Sequence, residues 1–113
     1  MDTLNNYREI VKNVLKPWMG RRYDGMDVMN EPVFDAANDR YMVMSVGWQA
    51  GDVRRIHHPL IHLDIIGGKV WIQRDGTEDG IAYDLEAAGI PKSDIVLAFH
   101  PENIRPYTGY AVM

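Results

Sequence analysis

The sequence predicts an α+β fold: an N-terminal helix, antiparallel hairpins forming a mixed sheet, and a C-terminal strand-helix-strand crossover. Three observations lead there. Ile61–Ile66 and Lys69–Gln73 are β-rich runs separated only by Gly67-Gly68, and a two-residue type I′ turn needs positive φ at both central positions, which suits glycine. Leu4, Tyr7, Val11, Val14 and Leu15 recur at helical spacing near the N-terminus. Between Lys69 and Phe99, a strand pattern, a helical pattern and a second strand pattern follow one another, the signature of a crossover to a parallel neighbour. With 113 residues and 46% hydrophobic content, one domain covering residues 1–113 with a modest core accommodates all three.

Taken in order, Thr3 can cap the first helix, and Pro17 stops it because proline disfavours helical geometry at Lys16 and lacks a donor of its own. Gly20 to Gly25 read as a loop. Asp27–Asp35 and Arg40–Val46 read as an antiparallel pair around Ala36-Ala37-Asn38-Asp39. Pro32 cannot donate to a ladder, which places the first of these strands at an edge. Tyr41, Val43 and Ser45 alternate with Met42, Met44 and Val46, so both faces are largely apolar. A helix on one side and a second subunit on the other would explain that. Gly47 to Asp52 form a turn-rich link, and Pro59 should break the next strand or force a bulge.

Pairing Ile66 with Lys69 sets Ile65 opposite Val70 and Leu63 opposite Ile72. These four lie on one face with Ile61, leaving His62, Asp64, Trp71 and Gln73 on the other. Thr77 is a suitable cap for the following helix, with Ile81, Ala82, Leu85 and Ala88 inward. Gly89 and Pro91 end it, and Ile95–Phe99 is read as a buried strand parallel to Lys69–Gln73.

The bulk chemistry narrows the function classes. A formal charge of −4 argues against a stand-alone nucleic-acid binder, which usually carries a basic footprint. Without cysteine, disulfides, thiol catalysis and cysteine-ligated zinc are excluded. The first residues, Met1 to Glu9, have neither a basic start nor an apolar stretch, and no apolar run approaches the ~20 residues needed to cross a bilayer. A cytoplasmic protein is expected.

Three clusters invite chemistry. His62 and Asp64 stand two apart on a strand, about 6–7 Å along it, a spacing open to a metal pair or to a base with an orienting carboxylate. With no third ligand in view, a polar outer face or subunit contact beside Trp71 is the simpler account. Asp75, Glu78, Asp79, Asp84 and Glu86 form an acidic stretch that could hold magnesium, but capping and a solvated helix face explain it more simply. Arg54, Arg55, His57 and His58, helped by Arg21-Arg22, could meet phosphates; a solvent-facing strand or a patch for an acidic partner is the plainer reading. The interaction surface expected on these grounds comprises Arg54, Arg55, His57, His58, His62, Asp64, Trp71, Glu78 and Asp79. No catalytic set, cofactor or metal site is assigned.

The series Leu4-Asn5-Asn6-Tyr7-Arg8, Val46-Gly47-Trp48, Ile61-His62-Leu63-Asp64-Ile65, Val70-Trp71-Ile72-Gln73, Asp75-Gly76-Thr77-Glu78-Asp79-Gly80-Ile81-Ala82, Gly89-Ile90-Pro91-Lys92-Ser93-Asp94-Ile95-Val96-Leu97 and Phe99-His100-Pro101 resembles the XisI family, the fdxN-element excision controlling factors of cyanobacteria. Tyr107-Thr108-Gly109-Tyr110-Ala111-Val112 is similar to that family's ending, so the resemblance runs nearly end to end. His58-Pro59 departs from it, where a small residue followed by an apolar one is expected. The resemblance implies an accessory factor in programmed DNA excision during heterocyst development, acting beside a site-specific recombinase and an XisH-like protein of nuclease fold. It transfers no catalytic residue. The acidic balance and the lack of a catalytic set favour a non-catalytic regulator that binds the XisH-like protein through its sheet face or acidic helix. The alternatives from other classes are a DNA-contacting protein using Arg54, Arg55, His57 and His58, and a metal-dependent enzyme using His62 and Asp64. A homodimer or higher oligomer is expected.

Overall fold

The computed structural model describes residues 2–23, 27–49 and 53–113. Parts of two expected loops, Asp24-Gly25 and Ala50-Gly51-Asp52, lie outside them. Helix α1 spans Thr3–Leu15, and its apolar stripe buries Tyr7, Val11 and Leu15. Its cap is Asp2 rather than Thr3: Asp2 Oδ1 accepts from the backbone N–H groups of Leu4 and Asn5 at 3.0 and 3.3 Å. One carboxylate thereby satisfies two of the donors a helix start leaves over. Pro17 does not end the helix abruptly, since Lys16–Trp18 continue as one 3-10 turn in which proline needs no donor.

Strands β1 (Asp27–Asp35), β2 (Arg40–Trp48), β3 (Arg55–Ile66), β4 (Lys69–Asp75) and β5 (Ile95–Leu97) form one sheet in the order β1-β2-β3-β4-β5. The first three pairings are antiparallel and the last is parallel. The strand carrying Pro32 is at an edge, as its missing donor predicts. The Gly67-Gly68 hairpin keeps the expected register, Ile66 with Lys69, Ile65 with Val70 and Leu63 with Ile72. Both turn glycines have the required positive φ, 58° and 78°.

Several boundaries differ from expectation: β3 is continuous from Arg55 through Pro59, and β4 extends past Gln73 to Asp75. β2 runs on through Gly47 and Trp48 because glycine there lets β1 approach: a Cβ at Gly47 would stand 1.8 Å from the Asp27 carbonyl oxygen. β5 stops at Leu97 instead of Phe99, where the chain turns through an Ala98 N–H to Val96 carbonyl bond and a His100 N–H to Leu97 carbonyl bond. Phe99 is consequently exposed.

Helix α2 is short, Ile81–Ala87. Thr77 does not cap it. Asp75 does, its Oδ2 accepting from the Ile81 N–H at 2.7 Å, while Oδ1 accepts from the Thr77 N–H at 2.9 Å and from the Thr77 hydroxyl. Ala88 is exposed, not inward. Ile81, Ala82 and Leu85 join Tyr7, Val11 and Leu15 of α1 in one core with Tyr41, Val43, Ile61, Leu63, Val70 and Ile72. Both helices therefore lie on the same face of the sheet. Fully burying each aliphatic side chain there is worth roughly 1.5–3 kcal/mol, which makes the inner face the source of most stability.

The opposite, outer face has a different cover and only in part. Residues 98–113 fold back along the β5 edge, where Ala111 bridges Val96 and its N–H bonds to the Ile95 carbonyl at 2.9 Å, and reach over the outward Trp71 of β4 through Arg105. Arg105 is the buried fastener of this strap. Its guanidinium donates to the carbonyls of His100 (3.0 Å), Val112 (3.4 Å) and Ala98 (3.4 Å) and lies 5.5 Å from the centre of the Trp71 ring. Three carbonyl dipoles and an aromatic face take the place of a carboxylate.

Candidate functional site

The sheet's outer face gathers a group of the expected residues around Asp64. The alternation that turns Leu63 inward turns His62 and Asp64 outward, and the register sets Arg40 and Trp71 beside Asp64 on either side. A bulge between His62 and Leu63 leaves Gln73 as the extra residue of β4, and its amide reaches Asp64 Oδ2 at 3.2 Å. His62 Nε2 stands 2.9 Å from Asp64 Oδ1, and Arg40 Nη1 lies 3.5 Å from Oδ2. Asp64 is only 5% exposed, so it is a buried carboxylate surrounded by donors. That makes it the hub of a structural knot whose acceptor capacity is largely used within the chain. Sequence spacing found His62, Asp64, Trp71 and Gln73 together; Arg40 was missed because it arrives from a neighbouring strand.

The basic cluster is not one patch. Arg55 and His57 share the outer face with Trp48 and Val46, their register partners, whereas His58 pairs with Ser45 and turns to the helix-bearing side. Arg55 donates to the Gly47 carbonyl at 3.3 Å and lies 5.3 Å from the Trp48 ring centre. Arg54 is exposed ahead of the strand. Leu60 is the extra residue where the register shifts between Val43 and Met44, which is the bulge expected beside Pro59.

Two recesses lie on the helix-bearing side. One, of about 270 Å³, is lined by Tyr23, Val28, Ser45, Ile56, His58 and Leu60. Behind two of its lining residues is Asn30, 1% exposed, which accepts from the Ser45 hydroxyl at 2.8 Å and donates to the Trp18 carbonyl at 3.0 Å and to the Tyr23 hydroxyl at 3.2 Å. No local signal in the sequence marks this recess, since its walls come from distant segments. The other, of about 460 Å³, brings Glu78, Asp79 and Asp84 together with Thr77, Trp18 and Arg21. Glu78 and Asp79 are exposed, and the Arg21 guanidinium lies 4.6 Å from the centre of the Trp18 ring.

The groups whose acidity the fold shifts tie elements together. Burial, and then a hydrogen bond to Asp94, push Tyr7 up to about 12, so it remains a protonated donor joining α1 to the segment before β5. Tyr110 is raised by burial and by its 2.6 Å bond to Glu86 of α2. Asp39, in a left-handed turn position with φ 55°, is held below the ordinary carboxylate range, chiefly by its hydrogen bonds from Arg8 at 2.8 and 3.1 Å. Among the described residues, no three His, Cys, Asp or Glu side chains stand where they could hold one metal ion. No described helix is long and apolar enough to cross a membrane.

A five-stranded mixed sheet with both helices on one face defines a small α+β class. Within it, the chain belongs to the XisI family: the family model described as XisI protein matches residues 1–112. The crystal structure of the fdxN element excision controlling factor XisI from Anabaena variabilis ATCC 29413 is similar at 30% identity and a TM-score of 0.83, covering 99% of this chain and 100% of that one. A XisI-like protein from the same organism is similar at 34% identity and a TM-score of 0.87, with the same coverage. No curated protein matches the chain.

Proposed function

We propose that this chain is a cytoplasmic accessory factor controlling programmed excision of a DNA element in heterocyst-forming cyanobacteria, acting by holding an XisH-like, nuclease-fold protein rather than by catalysis of its own. Kinship to an excision controlling factor over nearly its whole length supports the role. The observation that carries the binding step is the acidic recess beside α2. Glu78, Asp79 and Asp84 concentrate negative charge next to an indole wall, on a chain whose formal charge is −4. A basic segment of a partner meets carboxylates for its charge and Trp18 for cation–π contact. The partner's cation takes that stacking position from Arg21, which holds it in the single chain. Co-expression with an XisH-like protein followed by size-exclusion chromatography tests the reading. Co-elution at micromolar concentration is expected, weakened about tenfold or more by the double variant Glu78→Lys and Asp79→Lys. Separate elution of the two natural proteins overturns it.

A further inference from the structure

The part of the outer face not covered by the C-terminal strap has an ordered distribution of charge. β1 turns Asp27, Met29, Glu31 and Val33 outward, β2 turns Met42, Met44, Val46 and Trp48 outward, and β3 turns Arg55, His57, Pro59 and His62 outward, as the paired registers require. Asp64, the outward acid of β3, is already engaged by His62, Arg40 and Gln73. Among the described residues, no ion pair engages Asp27, Glu31 or Arg55. Across three neighbouring strands the face thus places carboxylates on β1, an apolar stripe on β2 and the Arg55 guanidinium on β3. The methionines at its centre are half-buried in the single chain, and methionine adapts readily to a facing surface.

That order is self-complementary. A two-fold axis lying along β2 between two stacked sheets exchanges left and right while keeping height along the strands. The β1 carboxylates of each copy then lie over β3 of the other, and the methionine stripes meet on the axis. Asp27 and Arg55 both stand level with Trp48 in their registers, so Asp27 of one copy faces Arg55 of the other. An axis across the strands would instead set β1 on β1, with Glu31 meeting its own copy at the level of Met44, and repel. Aligned sheets stacked about 10 Å apart are an ordinary packing, and an isologous pair is the commonest closed assembly. We propose that this face closes on a second copy of the same chain in that orientation. It is separate from the acidic recess on the other side of the sheet, so the two readings stand or fall independently.

Light scattering and sedimentation of the full chain alone, at about 50 μM, test it. The expected mass is twice the 12.9 kDa of one chain. Met44→Glu introduces a charge at the centre of the stripe and is expected to keep the circular dichroism spectrum while weakening dimerisation about 100-fold. Asp27→Arg and Arg55→Asp should each weaken it about tenfold, and the double variant should recover most of the loss, because the swapped charges attract again across the axis. A monomeric natural chain, whose outer face would then serve a different partner, overturns the proposal. So does a dimer indifferent to Met44→Glu, or a double variant no better than its parents.

Discussion

On one side of β2, Tyr41 and Val43 are sealed in a core with α1 and α2; on the other, Met42, Met44 and Val46 remain half-buried. One alternation of residues produces both sides, yet they are made of different materials. The inner face is aliphatic and close-packed, with shapes fixed by branched side chains. The outer face combines flexible methionines, cations and one buried carboxylate knot. A closed core needs fixed shape, because each void forfeits contacts. A surface that meets another molecule benefits from side chains that can adjust and from charges that choose an orientation. The contrast separates the residues that make the fold stable from those available for recognition.

The largest effect that would break this contrast concerns Leu63. Leu63→Ala on the inner face is expected to cost about 3–5 kcal/mol in urea unfolding, by lost burial plus a residual cavity. A loss below 1 kcal/mol would mean that the inner face is not the stability core. Next is the strap. Arg105→Ala removes donors from three carbonyls and should cost about 2–3 kcal/mol, with a change in tryptophan fluorescence from the uncovered Trp71. An unchanged spectrum would place the strap elsewhere.

A smaller effect sharpens the comparison at the turn joining β1 to β2. Asp39 has its folded pKa lowered, chiefly by Arg8, so its stabilisation is present above the ordinary carboxylate range and is lost as pH falls through the lowered value. Asp39→Asn tolerates the same left-handed backbone but loses the charge. It should lower the Tm by about 5 °C at pH 7, with the difference from the natural chain closing as pH falls below the ordinary carboxylate range. A gap independent of pH would assign the effect to shape instead. Smallest is Met44→Ala, expected to change the stability of the single chain by less than about 1 kcal/mol, because the outer position is not close-packed.

The candidate surface was legible to different depths. His62, Asp64, Trp71 and Gln73 could be placed on one face because a two-glycine turn fixes register and strands alternate with period two. The same alternation separates His57 from His58, although their adjacency in sequence suggested a single basic patch. Nothing local announced Arg40, which reaches Asp64 through the β2–β3 register, or Arg105, which comes 34 positions after Trp71 to stack on it. The acidic stretch was visible as charge. Its placement beside Trp18 was not, since that depends on how the segment leading into α2 meets the turn after α1.

By itself, then, the sequence determined that an N-terminal helix with its apolar stripe exists, the hairpin and its register, the edge position of the Pro32 strand and the family. These follow from turn chemistry, periodicity and motif order, which act over a few residues or are read directly along the chain. Only the tertiary structure decided that Asp64 is buried, that both helices share one face and that the C-terminal strap leaves the methionine stripe open. Those outcomes depend on which distant strands and segments come to lie side by side, and the free energy of such contacts exists only once the chain has closed on itself.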